Sequence, residues 1–224
     1  MPAAFPFIPE PEFRGELYRY GFHRKVIVLY RHMAEAGYKT LISYKLSLIA
    51  FTLGWDLVPR YYSKYEDSRQ RDQIKQALRS NKQNIVEGCS ERSISSKLKL
   101  YDVAKASGME ALEDFEDILR MEQLPRWDKS DHRLQTLRQF FEGYPNPSIS
   151  PTTSQPSLNL VCGALGGLEG KDGLEAAVNY LVDLLTRCGY MLDKQINAVE
   201  EKHTREGGYR ENLLKKRLDY KNFS

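Results

Sequence analysis

Nowhere in this chain do uncharged apolar residues run on for the roughly 20 positions a membrane-crossing helix needs, so no such span is expected. Cysteine is scarce. Cys89, Cys162 and Cys188 are the only three, they lie far apart, and no CxxC pair occurs. An odd, scattered set fits a reducing cytosol better than a disulfide framework. An excess of one charge is missing as well: 33 Lys and Arg face 30 Asp and Glu, leaving +3 at pH 7. Bulk charge therefore does not by itself point to nucleic acid. The opening residues, MPAAFPFIPEPEFRGELY, hold prolines and acids where a signal peptide needs a basic start and an apolar run. The expectation is a cytoplasmic protein.

What is present is helical periodicity. Apolar residues make up 41% and charged residues 28% of 224 positions, enough for one domain with a sizeable core and extensions. Residues 1–38 read as a Pro- and Tyr-rich N-terminal extension, with a short helix at 26–36. A first helix spans 40–62. Leu41, Tyr44, Leu48, Phe51, Trp55 and Val58 share one side of it; Ile42, Leu46, Ile49, Ala50 and Leu53 share the other. A helix apolar on both sides is buried on both, so one face is expected to need a cover, either the extension or another subunit. Pro59 is expected to kink its last turn. A second helix, 68–87, carries Ile74, Ala77, Leu78, Asn81 and Ile85 on one arc, and Gly88 reads as its stop. A third, 95–121, is capped by Ser93 or Ser95. Its inner face holds Leu98, Tyr101, Ala104, Gly108, Ala111, Leu112, Phe115 and Leu119. A short helix is expected at 131–141, a Pro/Ser/Gly-rich linker at 143–173, and a long helix at 174–204 followed by a basic tail to 224. The fold class expected is all-α, an antiparallel up-down four-helix bundle whose core spans 39–142.

Candidate chemistry is sparse. Arg71, Lys75, Arg79 and Lys82 stack in a row on the second helix. Arg92, Lys97 and Lys99 extend the row, which reads either as a solvated face or as a phosphate track. Residues 64–105 hold ten Lys/Arg against six Asp/Glu, while 106–142 hold five against nine. Such a dipolar layout steers an anion to one end, or arranges subunits head to tail. Tyr61, Tyr62 and Tyr65 are near the row in sequence, but no aromatic platform for single strands is evident beside it. At the helix junction, Asn84 reads as closing the last turn or bonding across helices, and Glu87 as pairing with Arg92. That is a structural corner, since no histidine or nucleophile accompanies it. Glu200 and His203 give one Glu-x-x-His spacing with no second copy, so no metal is expected. GALGGLEGKDG lacks the first glycine and the Ser/Thr of a phosphate loop. Cys89 reads as a small buried hydrophobe. No catalytic residue and no cofactor are expected.

The block QNIVEG, then a Ser-rich cap, then DVAKASGMEALEDFEDILR, resembles the four-helix bundle proteins related to the 23S rRNA intervening-sequence protein. The residues carrying the likeness are Asn84, Ile85, Glu87 and Gly88, then Ala104, Ala106, Ser107 and Glu110. It covers residues 38–141. A second block, NYLVDLLTRCGYMLDKQINAVEEKHTREGG, resembles the extra C-terminal helix of the four helix bundle suffix domain subgroup. More distantly the chain is similar to the accessory variability determinant of diversity-generating retroelements. The resemblance implies a C-terminal suffix helix and a homo-oligomer, pentameric and barrel-shaped in some relatives. It also implies a basic surface for RNA or DNA. Two functions are expected to compete: a non-catalytic, sequence-nonspecific nucleic-acid binder using the second and third helices, and a structural or protein-interaction adaptor.

Overall fold

The structure is a computed structural model and describes residues 37–142 and 156–222. The elements named here all belong to one compact unit, residues 38–224. They are α1 (Ile42–Tyr61), α2 (Ser68–Ser90), α3 (Ile94–Met121), α4 (His132–Phe140), α5 (Leu158–Ala164), α6 (Gly170–Glu206) and α7 (Tyr209–Asn222). No strand occurs among the described residues, so the chain is all-helical there. The short helix read at 26–36 and the first part of the linker lie outside them.

Local chemistry sets the helix starts. Ser93 caps α3 by accepting from the Ser96 amide, Asp131 caps α4 through the Arg133 amide, and Ser157 caps α5 through the Leu160 amide. α6 stops at Gly207, whose φ of 74° is the left-handed conformation glycine adopts without strain. Packing then takes over. α2 and α3 run antiparallel, since Gly88 lies against Tyr101 at one end and Gln70 bonds Asp114 at the other. α3 packs on α6, α6 on α1, and α1 back on α2; α4 and α5 rest on α6. On the expected inner faces Ile74, Leu78, Ile85, Tyr101, Ala104, Phe115 and Leu119 are buried, while Leu98 and Leu112 are half-buried; on α6, Leu181, Leu185 and Leu192 are buried.

A polar knot sits inside this apolar interior. Asn81, 1% exposed, accepts from Ser47 Oγ of α1 at 2.5 Å and donates through Nδ2 to the Ala104 carbonyl of α3 at 2.7 Å. Cys188 of α6 lies 3.9 Å from Asn81 Oδ1 and donates to the Ser43 carbonyl at 3.4 Å. A Cβ at position 108 would stand 2.7 Å from Asn81 Nδ2, so Gly108 is what lets the amide reach α3. Ser43 in turn donates to Gln195 Oε1 at 2.8 Å, while Gln195 Nε2 is buried without a partner. Burial pushes the Cys188 thiol up to about 12, against a smaller opposite pull from Asn81.

Two expectations are corrected. Gly88 does not stop α2, which runs on to Ser90. A Cβ there would meet the Tyr101 ring at 2.6 Å, so the glycine serves close approach rather than termination. The stretch 143–173 is not loop throughout. Residues 158–164 form α5, with Val161 buried, and α6 already begins at Gly170. The two faces of α1 are unevenly covered: Leu46, Ile49, Ala50 and Leu53 are buried but Ile42 is exposed, while on the other face Val58 is buried, Leu41, Tyr44, Leu48 and Phe51 are half-buried and Trp55 is exposed. Pro59 sits within α1, and the Tyr62 amide still reaches the Val58 carbonyl at 2.9 Å.

Two outcomes follow from this packing. Gly88→Ala is expected to lower unfolding free energy by about 1–2 kcal/mol, the cost of overpacking less the gain in helix propensity. Gly189→Ala, where an added Cβ meets nothing within 4 Å, is expected to raise it by about 0.5–1 kcal/mol. Urea unfolding of both variants checks the opposite signs. Because only a thiolate alkylates readily, Cys188 is expected to stay unmodified by iodoacetamide in the folded protein at pH 9, well below its raised pKa, and to react once urea unfolds the chain. Peptide mapping reads the difference.

Candidate nucleic-acid interface

The cationic row on α2 follows from helical spacing, and the structure adds what lies beside it. The Arg71 side chain is tied down, donating from Nη1 to the Tyr62 carbonyl at 3.0 Å. Lys75 places Nζ 4.3 Å from the centre of the Trp55 ring, and Lys82 places Nζ 3.7 Å from the centre of the Phe51 ring. The two rings belong to the uncovered side of α1 and lie 5.1 Å apart, tilted by 37°. Burial, and then the neighbouring Arg79, hold the Lys82 ammonium below the usual lysine range. Arg79 itself points to solvent.

A ring positions an ammonium without cancelling its charge; a carboxylate would do both. That distinction matters here. Among the described residues, none of Arg71, Lys75, Arg79, Lys82, Arg92, Lys97 and Lys99 is in an ion pair. Lys105, further along α3, is neutralised by Asp193 at 2.6 Å. The acidic half of α3 is partly quenched from within its own neighbourhood, since Arg120 meets Glu113, Glu116 and Asp117, and Arg126 meets Glu116. Asp114, half-buried, has its carboxyl raised by burial while Gln70 donates to it at 2.8 Å.

The seven cations do not form one strip. Arg71, Lys75, Arg79 and Lys82 share the α1–α2 face. Arg92 and Lys99 are exposed at the α2–α3 turn and the start of α3. Lys97 is turned back to the Cys89 carbonyl at 3.5 Å, where a cation complements the carbonyl end of α2. The rings beside the row are Phe51 and Trp55, contributed by α1, a helix not expected to carry the site. Tyr61 and Tyr62 stack edge to face at 4.7 Å next to the carbonyl that anchors Arg71, and Tyr65 is fully exposed. Tyr61 donates to Glu122 at 2.8 Å, and burial together with that carboxylate raises its phenol well above the usual range.

The junction motif resolves differently from its reading. Asn84 donates to the Ser80 carbonyl at 2.8 Å and to its hydroxyl at 3.1 Å, and Ser80 shares a 2.8 Å hydrogen bond with Ser107. So Asn84 ties α2 to α3 at one remove. Ala104 is buried and lends its carbonyl to Asn81. Glu87 and Glu110 are exposed, and the expected Glu87–Arg92 pair does not form. Cys89 is half-buried rather than buried. The polar residue that fastens the interior is Asn81, which periodicity places on the apolar arc of α2. Among the described residues no three His, Cys, Asp or Glu side chains gather as a metal site, and no helix is long and apolar enough to cross a membrane.

Comparison of the chain with protein-family models, with curated proteins and with solved structures gave no match in any of the three.

The contrast between the two tryptophans is measurable. Trp55 is 46% exposed beside Lys75 and Trp127 is 7% exposed. Iodide is expected to quench one fluorescence component strongly and the other weakly, and Trp55→Phe is expected to remove the strongly quenched one.

Proposed function

We propose that this protein is a non-catalytic binding protein whose α1–α2 face takes RNA or DNA without reading sequence. One observation carries the reading: four aligned cations on α2, none in an ion pair among the described residues, beside a tilted pair of rings on α1 of which Trp55 is exposed and Phe51 half-buried. Cations supply affinity through phosphates and counterion release, which is blind to sequence. An exposed ring beside them supplies a stacking surface, which any unpaired base can use. The partner is therefore single-stranded nucleic acid in preference to duplex. The scaffold that would present this face is an antiparallel up-down bundle of α1, α2, α3 and α6. Its support is that each of these helices packs on two of the others in a closed cycle. Kinship with the 23S rRNA intervening-sequence proteins and the suffix-domain subgroup rests on the two sequence blocks that resemble them.

An adaptor or homo-oligomer is the second reading. It is favoured by Val103, Ala106 and Met109, exposed at three-residue spacing on α3, which is a stripe suited to a second copy or another protein. A reducing, cytoplasmic setting accords with three free thiols.

Fluorescence anisotropy with labelled single strands and duplexes tests the first reading. Affinity for single strands is expected to fall steeply between about 50 and about 200 mM salt. Lys75→Glu with Arg79→Glu is expected to weaken binding at least about tenfold and to flatten the salt slope by about one unit for each phosphate no longer neutralised. Trp55→Ala is expected to weaken single-strand binding more than duplex binding. No binding at the lower salt, or full binding by the charge-reversed variant, overturns it. For the second reading, light scattering of Met109→Lys is expected to show a smaller species than the parent protein.

A further inference from the structure

On the other side of α1, away from the rings, a cavity of about 600 Å³ opens between α1, α4 and α6. We infer that it is a binding site for a small organic acid, a carboxylate borne on an apolar chain or ring. Volume and lining suit a small molecule, with an apolar floor and a few converging polar groups. Leu46, Ile49 and Leu184 form the floor, all buried. The polar groups converge from three helices.

Tyr180 is the first. It is 1% exposed, its ring stacks on Phe141 with centroids 5.4 Å apart, and it lines the cavity. Its hydroxyl has no hydrogen-bond partner among the described residues. As part of the cavity lining, the phenol is placed to donate to a molecule bound there. Burial raises its pKa, so it stays a donor at any physiological pH.

The second is an unbalanced charge cluster. Asp183, nearly buried, accepts from Arg138 at 2.6 and 3.1 Å and from Arg187 at 3.4 Å. One carboxylate thus faces two guanidinium groups. Lys45 adds a positive charge at the mouth and Glu142 removes one, so the lining keeps one positive charge uncompensated. Among the described residues, Arg138 spends Nε and Nη2 on Asp183, which leaves Nη1, and Arg187 spends only Nη1. Free guanidinium donors next to a phenol hydroxyl match the paired oxygens of a carboxylate. The apolar floor then selects for what the carboxylate is attached to. A cation is disfavoured by the surplus charge, and a bare phosphate would leave the floor wet. None of these residues belongs to the row of cations on α2, so the site stands apart from the proposed nucleic-acid face.

Calorimetric titration of the full chain with octanoate, octanol and octylamine tests the proposal. Octanoate is expected to bind saturably at one site, octanol at least about tenfold more weakly because the charge-assisted hydrogen bonds are missing, and octylamine not measurably. Lys45 is exposed, so Lys45→Glu keeps the fold and is expected to reduce octanoate affinity at least about tenfold. Tyr180→Phe preserves the stacking on Phe141 and is expected to reduce it several-fold. Absence of saturable octanoate binding, equal affinity for octanol, or an unchanged Lys45→Glu variant overturns the proposal. The Lys45 result decides even if Tyr180→Phe fails to fold.

Discussion

A side-chain amide buried in hydrocarbon has to find its hydrogen bonds inside the protein, and much of this molecule follows from how Asn81 finds them. Its oxygen takes the Ser47 hydroxyl and its nitrogen gives to the Ala104 carbonyl, with Cys188 alongside. Four helices meet at one residue. Sliding any of them by a turn would leave the amide without partners, at a cost of about 1–3 kcal/mol for each group stranded. Apolar contacts around it are more forgiving, since Leu, Ile and Val faces tolerate small shifts. The hydrophobic stripes therefore bring the helices together, and Asn81 fixes their register. Gly108 is a condition of that register, because a methyl group at that position would occupy the space of the amide.

With register fixed, the surface is dictated. α1 has more apolar residues than one interior face can hold. Its strongest row, from Leu46 to Leu57, is spent on the core, and the remainder emerges along α2. The lysines of α2 lie over that remainder, with the Lys75 ammonium set on Trp55 and the Lys82 ammonium on Phe51. The same leftover apolar surface that looks like a packing problem in α1 thus becomes an aromatic–cationic strip once α2 is docked. On the opposite flank, Asp183 draws two arginines to one carboxylate and leaves a surplus of positive charge over a hydrophobic floor.

Much of this is legible in the sequence, and the failures have physical causes. Periodicity of 3.6 locates α1, α2, α3 and α6 and nearly all of their buried residues, because burial of a stripe is what keeps a helix in place. It does not separate the two meanings of glycine. Gly88 has the look of a helix stop, and only the Tyr101 ring from another helix reveals it as a point of close packing. α5 is hidden because seven residues between serine- and glycine-rich flanks are too short for a period to register. The pairing of Lys75 with Trp55 spans the turn between two helices, so it depends on register, which depends on Asn81. Asn81 itself falls on the right arc, but Asn84 belongs to a more conspicuous motif although its bond is local. Lys97 looks free in the sequence, yet the end of α2 claims it.

α6 has 37 residues against 20 in α1, 23 in α2 and 28 in α3. At 1.5 Å per residue it is about 55 Å long, where α3 is about 42 Å. Its burial ends at Leu192, with Ile196 and Val199 only half covered, and residues 200–205 are exposed. The rod therefore overhangs like a cantilever, anchored along its first two-thirds and standing in water beyond. Gly207 is a joint at the tip, and no described side chain of α7 is buried. Whatever α7 touches is held off the packed body by the overhang, so a load on that arm is transmitted through a single helix rather than through the interior.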